Sequence, residues 1–157
     1  MTKQALLNGL EAYVQEEIGA RRRMLAIVDA QERAILAGKS ADLELATRDI
    51  EAEIERDTER SARRARLFAA AATTWRVAPA ALSLSSIAER FGPAAERLCT
   101  LRTELRSATA ELARRNRRLS VLVSTHRRLL AELIQTLLAS EDAAPLAVSG
   151  TLIDAEV

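Results

Sequence analysis

Apolar residues recur at three- and four-residue steps over three long stretches of the chain, which is the spacing of amphipathic α-helices. The first stretch runs from about residue 3 to 37, the second from about 41 to 76 and the third from about 93 to 140. Strands are not indicated, because 5 Gly and 3 Pro are too few to supply the turns of a multi-stranded fold. The pattern therefore predicts an all-α protein.

Helix-ending residues separate the first two stretches. Gly38 provides a C-terminal stop for the first helix. Ser40 is the expected N-cap of the second, because its hydroxyl can accept a hydrogen bond from a free backbone N–H. Pro79 ends the second helix, since proline lacks the N–H that a helix interior needs.

A short helix is expected between the second and third long stretches, over residues 83–91. Either Ser83 or Ser86 can cap it, because both have suitable spacing to a following polar residue. Gly92 then breaks the chain, and Pro93 is placed at the first position of the third long helix.

The third stretch carries the most regular pattern, a heptad-like line of apolar residues sustained for five repeats. Its members are Leu98, Leu101, Leu105, Ala108, Leu112, Leu119, Leu122, Leu129 and Leu133. A helix of this length needs the other two as antiparallel neighbours. We predict an elongated, coiled-coil-like antiparallel bundle of three long helices over residues 1–140, with a short connecting helix and a flexible C-terminal tail at 141–157.

Charge is balanced overall but not along the chain. There are 23 Lys and Arg against 22 Asp and Glu, for a formal net charge of +1. Residues 42–59 carry eight acids and two Arg, whereas residues 97–128 carry nine Arg and two Glu. Antiparallel packing places these segments side by side, so we expect the basic segment to be neutralised by the acidic one. This weakens a nucleic-acid function, which needs an accessible basic surface.

No residue constellation indicates catalysis, a cofactor or a metal. The single Cys99 and the single His126 exclude Cys- or His-rich metal sites, and no glycine-rich phosphate loop is present. We interpret Cys99, His126 and Trp75 as packing residues. The arginines at 21–23 and 114–118 are interpreted as helix faces paired with acids. Without a signal sequence or an apolar run long enough to span a membrane, the protein is expected to be cytoplasmic.

The end of the third stretch is the most suggestive region. Six of ten residues there are large and apolar: Leu129, Leu130, Leu133, Ile134, Leu137 and Leu138. At 100° per residue they cover about half of the helix circumference, more than a two-position coiled-coil seam uses. Two interpretations stay open. The other two helices use the whole arc, or part of it is left free to accept an amphipathic helix of a partner.

Three segments resemble the FlgN-type flagellar export chaperones. Residues 32–44, which contain Glu-Arg-Ala-Ile-Leu-Ala-Gly, are similar to the passage between the first two helices of that family. Leu82-Ser83-Leu84-Ser85-Ser86-Ile87-Ala88 resembles its Leu- and Ser-rich connecting helix. Asn116-Arg117-Arg118-Leu119 resembles the Asn-Arg-x-Leu stretch of its last long helix.

The resemblance implies a non-enzymatic chaperone of flagellar type III export. Its partners would be hook-associated (hook–filament junction) proteins, with components of the export apparatus as further candidates. Substrate binding through the last helix and tail maps onto nine residues: Leu119, Leu122, Val123, Leu129, Leu130, Leu133, Ile134, Leu137 and Leu138. The alternatives are a self-associating structural coiled coil and, less favoured, a basic helical nucleic-acid-binding protein.

Overall fold

A computed structural model describes residues 2–142 of the chain, with side chains described for residues 2–138. Four α-helices follow one another: α1 (Lys3–Ala37), α2 (Ser40–Trp75), α3 (Leu84–Phe91) and α4 (Glu96–Asp142). Short 3₁₀ turns at Pro79–Ala81 and Gly92–Ala95 flank α3. The predicted all-α fold with three long helices and a short connecting helix is confirmed. Most of the predicted tail, residues 143–157, lies outside the described residues, and the 1–140 domain boundary stays a prediction.

The turn between α1 and α2 explains why the predicted N-cap, Ser40, does not cap α2. Gly38 takes the left-handed conformation at φ 64° and ψ 27°, as expected of a C-terminal stop. The next N–H, that of Lys39, donates to the Ala34 carbonyl at 2.9 Å. Lys39 is thereby fixed in an extended conformation and becomes the residue before α2. Ser40 is therefore the first residue of the helix and not its cap.

Both ends of α3 are defined by local interactions. The Ser83 hydroxyl accepts from the Ser86 N–H at 3.1 Å, and the Ser86 hydroxyl accepts from the Ser83 N–H at 2.9 Å. This reciprocal pair makes Ser83 the N-cap. After Gly92, at φ 62°, Pro93 enters a 3₁₀ turn. As a result α4 begins at Glu96, three residues later than predicted.

The chain divides after Ser120 into two compact units. The core of the first unit forms where the start of α1, the end of α2, α3 and the start of α4 meet. Its most buried large side chains are Leu6, Leu10, Val14, Ile18, Ile87 and Leu98. Trp75 packs against this core and makes an edge-to-face contact with Phe91 at 5.1 Å between ring centroids. The packing role predicted for Trp75 is confirmed.

Ion pairs give the directions of the long helices in the first unit. Glu16 of α1 pairs with Arg63 of α2 at 2.6 Å, and Arg23 further along α1 pairs with Glu53 earlier in α2 at 2.9 Å, so α1 and α2 are antiparallel. Glu11 pairs with Arg97 of α4 and Glu32 with Arg118, so α1 and α4 run parallel. Consequently α2 and α4 are antiparallel, as predicted.

The arginines of α4 were expected to be neutralised by the acids of α2, and this prediction is wrong about which acids they pair with. Within the described side chains, no ion pair joins α2 to α4; the arginines of α4 instead pair with acids of α1 and of α4 itself. The reason is geometric. Glu51, Glu55 and Glu59 of α2 are four residues apart, so they share one helix face, and that face is exposed to solvent.

The two arginine runs follow the predicted acid pairing only in part. Arg21 pairs with Glu17 on its own helix at 3.1 Å, as expected, but Arg22 pairs with α4 and Arg23 with α2. In the run 114–118, three of the four arginines have acidic partners, and Arg117 has none among the described side chains. Cys99 is exposed, so its predicted packing role is wrong. His126 is exposed as well.

A buried cluster of charges, which we call the Glu53 cluster, links α1 to α2. Glu53 is 2% exposed, Arg60 4% and Glu17 5%. Arg60 Nη1 lies 2.7 Å from Glu53 Oε1, and its Nε lies 3.2 Å from Glu17 Oε1. Arg23 and Arg56 also donate to the Glu53 carboxylate. The carboxylate is therefore shared by three arginines from two helices.

The charges of the cluster shift one another's proton affinity. Hydrogen bonds from Arg23 lower the pKa of Glu53 to about 2, assisted by Arg56 and opposed by burial. Burial acts to lower the pKa of Arg60, but the nearby Glu53 and Asp57 outweigh it and raise that pKa above its ordinary value. Both groups are consequently charged at neutral pH, and each depends on the other for its burial.

Candidate partner-binding surface

The large apolar side chains of α4 are buried or half-buried in the first unit and exposed from Leu129 to Leu138. In the first unit Leu98, Leu101 and Leu119 are 0%, 6% and 8% exposed. Residues 121–138 are helical as well, and six of these eighteen residues are Leu, which has a high helix propensity.

Six large apolar side chains lie exposed on this later part of α4, and we call them the apolar face: Leu129, Leu130, Leu133, Ile134, Leu137 and Leu138. Their exposed fractions run from 47% for Leu130 to 65% for Leu137. At 100° per residue they span about 180° of the helix. A contiguous apolar surface of this kind is typical of a docking site for another protein.

The other three predicted binding residues come earlier in α4. Leu119 is buried, Leu122 is half-buried and Val123 is 38% exposed. All nine predicted residues are thus on one helix, with accessibility increasing toward its end. Leu119 packs inside the first unit in the present state of the chain, and the accessible part of the set begins at Val123.

The remainder of this helix segment is mostly polar. Ser124, Thr125, Arg128 and Glu132 lie outside the arc of the apolar face. Val121 is the exception: it is 66% exposed and lies on the opposite side of the helix, about 80° from the nearest edge of the apolar face. Val121 therefore offers a control position that is about as exposed as the apolar face but points to another side of the helix.

A second apolar surface, not predicted from the sequence, lies at the α1–α2 turn. Leu36 and Leu45 are 67% and 59% exposed beside a shallow groove of about 670 Å³. The floor of the groove is made by small side chains, among them Ala30, Ala34 and Ala46. No signal in the sequence marked Leu45 as exposed.

Two further kinds of feature are not found in the described part of the chain. No group of three or more His, Cys, Asp or Glu in the described part of the chain is arranged to hold a metal ion. Between residues 2 and 142, no helix is long and apolar enough to cross a membrane. The exposed apolar surface of α4 can be buried against another chain.

A helical bundle that carries an exposed apolar helix face is typical of proteins that bind segments of other proteins. Comparison with known families gives the particular class. The chain matches the model of the FlgN protein family over residues 1–145 and belongs to that family, whose members are flagellar export chaperones that bind export substrates. No curated protein and no solved structure matches the chain.

Proposed function

We propose that this flagellar export chaperone acts in the cytoplasm, without catalysis, on hook-associated proteins. It binds their C-terminal amphipathic segments through the apolar face of α4 and so prevents premature assembly before type III export. The observation that supports the proposal best is the exposure of six Leu and Ile side chains on one helix in a chain of this family.

The size of the apolar face is suited to reversible binding. Full burial of one Leu or Ile is worth about 1.5–3 kcal/mol, so six half-exposed side chains offer on the order of 6 kcal/mol. An amphipathic partner contributes a similar amount, and association costs about 4–15 kcal/mol. At the low end of that cost the net is about 8 kcal/mol, which corresponds to a micromolar complex, so binding through this face alone is reversible. Such a complex releases its substrate when the export machinery engages it.

The test compares two double variants of the full chain. Leu130→Asp with Ile134→Asp places two charges on the apolar face, whereas Val121→Asp with Ser124→Asp places two charges on the other side of the same helix. Binding is followed by fluorescence anisotropy of labelled C-terminal segments of hook-associated proteins from the same organism. We expect the first variant to weaken binding by about 30-fold or more and the control by no more than about twofold.

The competing occupant of the apolar face is a second copy of the chain. Sedimentation of the wild-type chain and of Leu130→Asp/Ile134→Asp distinguishes the two. If the wild type is a stable dimer, the variant a monomer, and no hook-associated segment binds to either, the structural coiled-coil alternative replaces the proposal. A helical variant that binds the segments as tightly as wild type would show that the apolar face is not the binding surface.

A further inference from the structure

Arg127 occupies a distinctive position at the border of the apolar face. It lies three, seven and eleven residues before Leu130, Ile134 and Leu138, so these four side chains form one row along α4. Arg127 is exposed and has no acidic partner among the described side chains. Val123, four residues before Arg127, continues the row, so Arg127 is the one cation in a row that is otherwise apolar.

The other two charged side chains of this helix segment lie outside the apolar row. Arg128 points about 100° further around the helix, away from the row, and its Nε lies 3.6 Å from Glu132 Oε1. In residues 121–138 the only charged side chains are Arg127, Arg128 and Glu132. Arg127 is the only one of them that lies in the apolar row, and it has no counter-charge among the described side chains.

We propose that the apolar face accepts an amphipathic helix that carries a carboxylate beside its own apolar side, and that Arg127 selects for that carboxylate. This inference rests on the proposed function and adds the charge of the substrate segment. A helix that covers the row removes water from around Arg127, which is unfavourable unless an acidic group replaces that water. A basic or neutral segment of equal apolar area is disfavoured, so the arginine contributes specificity.

The position of Arg127 also restricts the orientation of the bound segment. Arg127 precedes all six side chains of the apolar face, and Val123 comes before it in the row, so the selected carboxylate lies near the end of the partner helix that meets this turn of α4. In an antiparallel complex the carboxylate follows the residues of the partner that cover the apolar face. In a parallel complex it precedes them. Neutralising the two candidate acids separately therefore reports the direction of binding.

Two single variants of the full chain test the role of Arg127. Arg127→Glu reverses the charge in the apolar row, and Arg128→Glu makes the same change in net charge on the adjacent residue outside it. The probe is the C-terminal segment of a hook-associated protein of the same organism. We expect Arg127→Glu to weaken binding about tenfold and Arg128→Glu to weaken it less than about threefold.

A charge-neutral probe completes the test. When the selected Asp or Glu of the segment is replaced by Asn or Gln, Arg127→Glu should no longer weaken binding relative to wild type. Equal effects of the two arginine variants, or a loss at Arg127 that persists with the neutral probe, would overturn the inference. If wild type binds and Leu130→Asp/Ile134→Asp does not, while Arg127→Glu binds normally, the inference fails and the proposed function stands. Absence of wild-type binding contradicts the proposed function itself.

Discussion

Replacing Glu53 by Gln should destabilise the chain more than any other isosteric change of an acid in α2. The Glu53 carboxylate accepts hydrogen bonds from Arg23, Arg56 and Arg60, of which Arg60 is buried with it. A neutral amide cannot compensate the Arg60 charge, which then depends on Glu17 and on the largely exposed Asp57. Removing one partner of a buried pair costs about 3–5 kcal/mol.

The proton affinity of Glu53 gives an independent magnitude. Its pKa is about 2 in the folded chain against an ordinary value of 4.5. Because each pH unit corresponds to about 1.4 kcal/mol, the charged carboxylate contributes on the order of 3 kcal/mol at neutral pH. Arg23 and Arg56 are about half exposed, and screening by water places the expected loss at or just below the lower limit of that range, at about 2–3 kcal/mol.

Urea unfolding followed by circular dichroism measures the effect, with Glu55→Gln as the matched control. Glu55 is exposed on the same helix and has no ion-pair partner among the described side chains, so its replacement should change the free energy of unfolding by less than about 0.5 kcal/mol. A loss below about 1 kcal/mol for Glu53→Gln would refute the reasoning, because it would mean that the cluster is solvated or rearranges without cost.

The contribution of Glu53 to the stability of the chain should decrease as the pH falls. A carboxyl group whose pKa is lowered on folding stabilises the chain above its ordinary pKa and loses this contribution as the pH falls toward the folded value. The difference in stability between wild type and Glu53→Gln should therefore be constant above about pH 5 and shrink between about pH 4.5 and 2. A difference that does not change over this window would show that Glu53 acts through shape and not through charge.

Two backbone changes should stabilise the chain and one core change should destabilise it, each measurable by thermal or urea unfolding. Gly19→Ala should stabilise by about 0.5–1 kcal/mol, because α1 gains helix propensity and the new methyl meets only the flexible Arg23 side chain at 3.4 Å; a loss would show that Arg23 cannot move. Arg76→Gly should stabilise by a similar amount, since Arg76 ends α2 at φ 53°, a conformation that favours glycine; an unchanged midpoint would argue against strain there. Leu98→Ala should destabilise by about 2–5 kcal/mol because Leu98 is fully buried in the core; a loss below 1 kcal/mol would contradict that burial.

The helix boundaries were predictable because they depend on local chemistry. Gly38 ends α1 in the left-handed conformation, and Pro79 follows the end of α2, as the sequence indicates. The choice between Ser83 and Ser86 as the cap could not be made from spacing alone. It depends on a reciprocal pair of hydrogen bonds that needs both residues.

The Glu53 cluster was not predicted because composition shows how many acids a segment carries but not which one faces a neighbour. One signal could have found it. Ala46, Glu53 and Arg60 are seven residues apart and are all buried, so they occupy equivalent heptad positions of the face of α2 that packs on α1. Ile54, the apolar neighbour of Glu53, is by contrast 59% exposed and shares a cavity with Leu112.

The apolar arc at the end of α4 could be identified from the sequence, but its exposure could not. The periodicity of Leu129 to Leu138 is equally compatible with a packed and an open face. In the structure all six side chains are 47–65% exposed. Whether an apolar face is open depends on which other side chains pack on it, and the periodicity of one helix does not encode that.

Calorimetric titration of the full chain with the C-terminal segments of hook-associated proteins from the same organism tests the central claim most directly. The account predicts saturable binding near one to one, with a heat-capacity change that is negative because apolar surface is buried. It also predicts that Leu130→Asp/Ile134→Asp removes this signal. A folded, helical wild-type chain that gives no binding to any of these segments would contradict the account.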